Sequence, residues 1–222
     1  MIFHTAADDV YYNQFYHLYQ STIKQFYPDN KFSLYYIGNT LLKNKKISYI
    51  QQDNITSQEI ENRYDVNGRD TKGYYALSRW WSMPVENEHV AVSDVDVIAL
   101  KTIPQEKINN ILVDYEVINI TRIKKNGTEG GMNLMILHKT IVDDVNKKAK
   151  SVLNNSQLHW ASDVNVREFI YTNFKVYNLP EMHTFNKRSE YNSLDSTSRS
   201  FGIFKGGVSQ KVNSLTKAKF NL

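Results

Sequence analysis

Two acidic residues, Asp94 and Asp96, have the type and spacing best suited to chemistry in this chain. They follow the apolar residues 90–92 and precede the apolar residues 97–100, which predicts that both acids lie inside a buried strand. Alternation along a strand places the two carboxylates on one side of the chain. Buried carboxylates are costly unless a cation pairs with them, and oxygen ligands of this kind suit Mg²⁺ or Mn²⁺. The pattern therefore indicates a divalent-cation site that binds a substrate diphosphate.

The elements before the two acids must position them, and they indicate an α/β fold. Residues 2–5 predict a short buried strand, and aromatic side chains at helical spacing predict a helix that Pro28 stops. Strand-like runs follow at 31–37 and 46–50. Alternating strands and helices favour a mainly parallel sheet that binds ligands at the carboxyl ends of its strands. Without this context the Asp-x-Asp triplet is a weak pattern, and a structural or surface pair is the alternative.

The rest of the chain continues the same alternation. Helices are expected at 59–64, 74–81, 105–112, 140–153 and 163–169, strands at 116–120 and 134–137, a glycine-rich loop at 127–131, and a polar mobile loop at 186–200. With 222 residues, 41% of them hydrophobic, the chain is expected to form one domain. Its nucleotide-binding part is predicted at about 1–100 and its acceptor part at about 101–222.

Composition excludes several classes of function. The absence of cysteine rules out disulfides and thiol catalysis and makes the cytoplasm the expected location. No apolar run approaches the roughly 20 residues that span a bilayer, so neither an anchor nor a signal peptide is expected. A net charge of +4 without a basic and aromatic repeat does not favour nucleic-acid binding. The basic C-terminal segment suits a phosphate-bearing ligand or peripheral contact with an anionic membrane.

The segment at 4–12 resembles the nucleotide-binding start of the glycogenin and bacterial galactosyltransferase family, which has the GT-A fold. In that family an alanine or threonine precedes an aspartate that accepts from uracil, and a tyrosine stacks on the base. Thr5 and Ala6 lead to Asp8 and Tyr11, which match these positions; Val10 stands where the family has asparagine. The alternative is that Asp8 or Asp9 caps the following helix and Tyr11 or Tyr12 packs in the core.

Three further residues resemble the family's contacts with the donor. Arg79 precedes the acidic triplet as the family's diphosphate-binding arginine does, and Asn133 follows a small-residue loop that contacts the donor sugar. Asp163 stands at an acidic helix start that meets sugar hydroxyls or the acceptor. The open alternatives are a surface residue or a partner of Asp94 for Arg79, a structural turn around Asn133, and a helix cap for Asp163.

The C-terminal segment at 203–211 resembles the family's last motif only in part. Lys205 and Lys211, with the glycines between them, match residues that contact the diphosphate, but the family's histidine, its third metal ligand, is missing. The resemblance then implies a cation held by the two carboxylates of Asp94 and Asp96, the donor diphosphate and water.

The function implied by the resemblance is a metal-dependent glycosyltransferase that moves a sugar from a nucleotide sugar, expected to be a UDP-sugar, to a glycan or other hydroxyl acceptor. Asp163 would be the general base of an inverting enzyme, whereas the resembled family retains configuration. Two rival functions stay open. One is a nucleotidyltransferase that acts on sugar phosphates; the other is a non-catalytic carbohydrate- or protein-binding module that uses four aromatic residues expected to be exposed, Tyr74, Tyr75, Trp80 and Trp81.

Overall fold

A seven-stranded sheet forms the centre of the computed structural model, which describes residues 1–38, 41–53, 59, 71–123, 129–130, 133–155, 162–185 and 199–204. The strands of the described parts are β1 (Ile2–Asp8), β2 (Lys31–Ile37), β3 (Tyr49–Asp53), β4 (Val90–Ser93), β5 (Val97–Ala99), β6 (Val117–Ile120), β7 (Arg122–Ile123), β8 (Glu129–Gly130), β9 (Leu134–Leu137), β10 (Val176–Leu179), β11 (Met182–Phe185) and β12 (Phe201–Phe204). The order in the large sheet is β10-β6-β9-β4-β1-β2-β3.

The large sheet is mostly parallel. β1 pairs in parallel with β2 and β4, β2 with β3, and β10 with β6, while β9 runs antiparallel between β4 and β6. The predicted α/β class with a mainly parallel sheet is therefore confirmed. A smaller sheet has the order β11-β12-β5, and β7 pairs with β8.

Helices pack on both faces of the large sheet. They are α1, which runs through Asp9–Tyr11, a π-helical turn at Tyr12–Tyr16 and His17–Phe26, then α2 (Thr71–Trp81), α3 (Gln105–Asp114), α4 (Val142–Asn155) and α5 (Ser162–Asn173). Alternation along β4 assigns its side chains to the two faces. Ala91 belongs to the core with α1 and α3, whereas Val90 and Val92 belong to the core with α2, α4 and α5.

The acidic triplet does not lie inside a strand, and that expectation was wrong. β4 ends at Ser93, and β5 begins at Val97 in the other sheet. The chain turns between the two, and the amide of Val97 donates to the carbonyl of Asp94 at 3.3 Å. Asp94 and Asp96 are therefore placed by a turn at the carboxyl end of β4 instead of by strand alternation.

Other differences concern boundaries. The strand expected at 46–50 is found at Tyr49–Asp53, because the chain first makes a turn in which Ile47 donates to the carbonyl of Asn44 at 3.2 Å. The described residues 129–130 of the expected glycine loop pair with β7. The strands β10, β11 and β12 were not predicted. The helix expected at 59–64 and the loop at 186–200 lie largely outside the described residues.

Candidate functional site

A cleft of about 540 Å³ opens at the carboxyl ends of β1 and β4. Its lining comes from the end of β1 and the start of α1, from one face of α2, and from the turn after β4. The lining residues are Ala6, Ala7, Asp8, Tyr11, Tyr75, Ala76, Arg79, Asp94, Val95 and Asp96. The topology thus brings together the two sequence segments that carried the predicted chemistry.

The turn that carries the two acids is fixed from several sides. The amide of Asp94 donates to the carbonyl of Asn133 at 2.9 Å, just before β9 begins. Thr5 is fully buried, and its hydroxyl donates to the carbonyl of Ser93 at 2.9 Å. The hydroxyl of Thr5 is thus used inside the protein, where it joins β1 to the end of β4; a contact of Thr5 with a nucleotide stays a prediction.

Both carboxylate oxygens of Asp94 are already engaged. Oδ1 accepts from Nη1 of Arg79, and Oδ2 accepts from Nδ2 of Asn133 at 2.5 Å. The open alternative for Arg79, a partner of Asp94, is therefore what the structure contains, and Asn133 lies beside the same carboxylate. Asp94 remains partly accessible, with 25% of its side chain exposed.

Arg79 connects Asp94 to a second acid. It lies on α2 with its side chain buried, and its Nη2 donates to Oδ2 of Asp163 at 3.1 Å. Arg167, one turn further along α5, donates to the other oxygen of Asp163 at 3.3 Å. Burial lowers the pKa of Arg79 from its ordinary value, and the charge of Asp163 opposes that shift. The result is a chain of alternating charges from Asp94 to Arg167.

Asp96 is in the opposite situation. Its carboxylate is partly buried, and burial raises its pKa to about 6, against the smaller effects of its own backbone amide and the positive charge of Arg79. In the part of the chain that the structure describes, no other residue's hydrogen bond or ion pair reaches this carboxylate. Asp96 is thus a desolvated anion that a cation would stabilise.

The donor set fits one kind of metal ion. Across the described ranges, no three histidine, aspartate or glutamate side chains come together as a ligand set. Mg²⁺ and Mn²⁺ do not require such a set, because they often retain water and take substrate phosphates together with one or two carboxylates. Asp96, with Asp94 beside it, could hold an ion of this kind, whereas a site closed entirely by protein ligands would not fit.

The entrance of the cleft carries the predicted base-binding residues. Oδ1 of Asp8 accepts from the amide of Tyr11 at 2.8 Å, so Asp8 caps α1 as the alternative interpretation held. Tyr11 is 49% exposed, which excludes the core position. Burial, followed by the charges of Asp96 and Asp8, raises the pKa of Tyr11. Asp8 and Tyr11 line the same cleft as Asp94 and Asp96.

A π-helical turn follows Tyr11 directly, at Tyr12–Tyr16. Such turns are rare in proteins overall, and those that occur often lie at functional sites. The ring of Tyr11 lies 5.6 Å from that of Phe15, and the ring of Tyr12 stacks on that of Tyr16 at 5.1 Å. The ring of Phe15 thus packs beside the exposed ring of Tyr11.

Several lining residues were missed by sequence reasoning, although a signal existed. Tyr75 and Ala76 lie four and three positions before Arg79, so helical periodicity places all three on one face of α2. Arg167 lies four positions after Asp163 on α5, where an oppositely charged pair is favoured.

Lys205 and Lys211 lie outside the described residues. The described chain ends with β12, whose Ile203 pairs with Val97 directly after the acidic turn.

No family model matches the sequence, and no curated protein matches it, but solved structures do. The galactosyltransferase LgtC in complex with donor and acceptor sugar analogs has a TM-score of 0.58 and 11% identity over 98% of this chain and 96% of that chain. An active-site mutant of LgtC has a TM-score of 0.59 and 12% identity, with the same coverage. The glycosyltransferase GlyE of Streptococcus pneumoniae TIGR4 has a TM-score of 0.60 and 10% identity over all of this chain and 59% of that chain.

These likenesses establish the fold of the chain. It is the GT-A fold, as predicted, and it matches LgtC over nearly the whole length of both chains. The resemblance to bacterial galactosyltransferases is thereby confirmed for the fold.

Proposed function

We propose that this protein is a metal-dependent glycosyltransferase that moves a sugar from a UDP-sugar to a hydroxyl group of a glycan or other acceptor. The observation that carries the proposal is the acidic turn at the carboxyl end of β4. There, Asp96 is desolvated and forms no ion pair with a described residue, and Asp94 accepts a hydrogen bond from Arg79. A divalent cation would compensate the charge of Asp96, and a diphosphate would give Arg79 an anionic partner.

Charge in the cleft supports the requirement for a cation. Among the lining residues that the structure describes, the ionised side chains are the carboxylates of Asp8, Asp94 and Asp96 against the single guanidinium of Arg79. This lining is net negative, and a diphosphate is an anion, so the two repel unless positive charge enters with the ligand. Mg²⁺ or Mn²⁺ would supply that charge and stabilise the leaving diphosphate as a Lewis acid.

Arg79 would add a fixed positive charge at the same place. Its side chain is buried and held on one side by Asp163, so its position is set before the donor binds. Preorganised charge in a water-poor site stabilises a developing anion more than a mobile surface charge does. Lys205 and Lys211 are proposed to contribute in the same way from outside the described residues.

The entrance formed by Asp8 and Tyr11 would receive the nucleotide base. Helix capping uses Oδ1 of Asp8, and a second carboxylate oxygen of the same residue can accept from an N–H of a pyrimidine base. The exposed ring of Tyr11, supported by Phe15, offers a stacking surface. The exposed side chain of Val10 offers no hydrogen bond where an asparagine would.

Asp163 serves in this proposal as a positioning residue for Arg79. Both of its oxygens accept from arginines, and only 9% of its side chain is exposed. An inverting reaction would require Asp163 to release one of these contacts before it could accept the proton of an acceptor hydroxyl. The arrangement therefore favours transfer without Asp163 as general base.

The rival binding module loses its main support. Tyr74 and Trp80 are buried, at 4% and 1% exposure, and belong to the core between α2 and the sheet. Trp81 packs edge-on against Tyr74. The expectation that these aromatic residues form an exposed carbohydrate platform was wrong for Tyr74 and Trp80, because helical periodicity turns them to the sheet; Tyr75 lines the cleft.

The test combines binding with product detection. Thermal unfolding is followed with UDP alone, Mn²⁺ alone and both, and release of UDP from UDP-sugars is measured with a panel of acceptor glycans. The proposal expects a rise in unfolding temperature that requires Mn²⁺ and UDP together and UDP release that Asp96→Ala abolishes. Asp143→Ala removes an equal charge from the exposed surface of α4 and serves as the control. Glycan binding without any response to UDP and Mn²⁺ would refute the proposal.

A further inference from the structure

Arg79 holds two acids with different atoms, and the two contacts differ in accessibility. Nη1 donates to Asp94, whereas Nη2 donates to Asp163 at 3.1 Å. The side chain of Asp163 is 9% exposed, and that of Asp94 is 25% exposed and lines the cleft. The contact with Asp94 is therefore the one that an incoming ligand can reach.

The contact with Asp163 is held from behind. Oδ1 of Asp163 accepts from Nη2 of Arg167 at 3.3 Å. Asp163 also lies in the first turn of α5, where the helix dipole favours a negative charge. Arg79 thus has one end anchored in the protein and the other at the surface of the cleft.

Asp94 cannot serve all its partners and a metal ion together. Its Oδ2 accepts from Asn133 at 2.5 Å, and its Oδ1 accepts from Arg79. A divalent cation held by Asp94 would lie beside the guanidinium of Arg79, and like charges at short range repel strongly. Asp96, two positions on, has no arginine contact of this kind in the described residues. Binding of a cation to the turn therefore disturbs the contact between Arg79 and Asp94 first.

We propose that Arg79 is an exchangeable counterion: it occupies Asp94 while the cleft is empty and transfers Nη1 to the diphosphate when a divalent cation and a nucleoside diphosphate bind together. Throughout the exchange it keeps its contact with Asp163. This inference rests on the proposed function. Its consequence is that the guanidinium of Arg79 is not available to a diphosphate in the metal-free protein, so the nucleotide and the ion are expected to bind cooperatively.

The exchange predicts that removal of Asp94 releases Arg79 for UDP even without metal. Binding of UDP is measured by calorimetry in the presence of a chelator for the wild-type chain, Asp94→Ala and Asp96→Ala. Each variant removes one negative charge from the same turn, so simple repulsion is relieved equally. Asp94→Ala should raise the affinity for metal-free UDP about tenfold more than Asp96→Ala, which corresponds to one charge-assisted hydrogen bond. Asp94→Asn, whose amide oxygen still accepts from Arg79, should give an intermediate gain.

The same measurements in an Arg79→Gln background complete the test. If Arg79 is the released group, the difference between Asp94→Ala and Asp96→Ala disappears in that background. Circular dichroism checks that each variant is folded, and Asp94→Asn replaces Asp94→Ala if the latter is not. Equal gains from the two alanine variants, with metal-dependent UDP binding to the wild type intact, would overturn the exchange and leave the proposed function standing. Absence of UDP binding to the wild type with Mn²⁺ would overturn both.

Discussion

Replacement of Asp96 by asparagine should stabilise the metal-free protein while it destroys the proposed cation site. Burial raises the pKa of this carboxyl from 3.8 to about 6, so the folded chain bears a cost for keeping Asp96 ionised that the unfolded chain does not bear. Two pKa units correspond to about 3 kcal/mol at most, and partial exposure reduces this to about 1–3 kcal/mol. For a chain of this size, Asp96→Asn should then raise the unfolding temperature by roughly 3–9 °C at pH 8.

The pH dependence has a definite sign. A carboxyl whose folded pKa is raised destabilises the protein when it is ionised, so the cost is full above about pH 7 and is relieved as pH falls through 6. About half of it remains at pH 5 and little at pH 4. The gap in unfolding temperature between wild type and Asp96→Asn should shrink accordingly. Other titrating groups, including His4, are common to both chains and cancel in the difference.

The assay is thermal unfolding followed by circular dichroism, with a chelator present, at pH 8, 6 and 5. Asp94→Asn is the matched control, because it removes the same charge two positions away but weakens the contacts with Arg79 and Asn133; it should lower the unfolding temperature at pH 8. Addition of Mn²⁺ and UDP should reverse the order of wild type and Asp96→Asn. A lower unfolding temperature for Asp96→Asn at pH 8, or a gap that is the same at pH 8 and pH 5, would refute the reasoning.

Three further predictions concern the frame of the site. Thr5→Val removes the hydroxyl that donates to the buried carbonyl of Ser93 and should lower the free energy of unfolding, measured in urea, by about 1–3 kcal/mol. Because neither group titrates, the loss should be the same at every pH, and a loss that varies with pH would contradict this. Burial lowers the pKa of His4 to about 3, so its NMR signals should not titrate between pH 8 and 5, and its contribution to stability should fall as pH drops below 6.5; a midpoint near 6.5 would contradict this. Gly38→Ala places a Cβ 2.8 Å from Oδ2 of Asp9 and from the hydroxyl of Tyr36, two side chains that are hydrogen-bonded to each other, and should lower the free energy of unfolding by about 1 kcal/mol; an unchanged free energy of unfolding would contradict this.

Local patterns in the sequence predicted the parts of the site that depend on local structure. The apolar residues before Asp94 identified β4, because a buried strand needs little beyond its own side chains to be recognised. The helical spacing in α1 placed Asp8 and Tyr11 at the end of β1 and the start of a helix. In a parallel sheet the carboxyl ends of β1 and β4 lie at the same edge, so the segments that follow these two strands meet there.

Contacts distant in sequence decided what local patterns could not. The turn at Asp94 depends on the carbonyl of Asn133 and on the pairing of Val97 with Ile203, both supplied by later segments of the chain. The contact between Arg79 and Asp163 joins residues 84 positions apart. No periodicity indicates such pairs, so the sequence identified the members of the site and left their partners open.

The two acids of the turn divide the work through their different surroundings. Asp94 has a complete set of partners and stabilises the empty cleft, whereas Asp96 is desolvated and destabilises it. If both carboxylates had positively charged or hydrogen-bonding partners, a cation would gain little free energy by binding. If neither had such partners, the turn would carry two uncompensated buried charges. Under the proposed function, the uncompensated charge of Asp96 would attract a cation, and the net negative lining would admit a diphosphate only together with that cation. In the proposed function, cooperative binding of ion and donor is the expected consequence of these different surroundings of two carboxylates two residues apart.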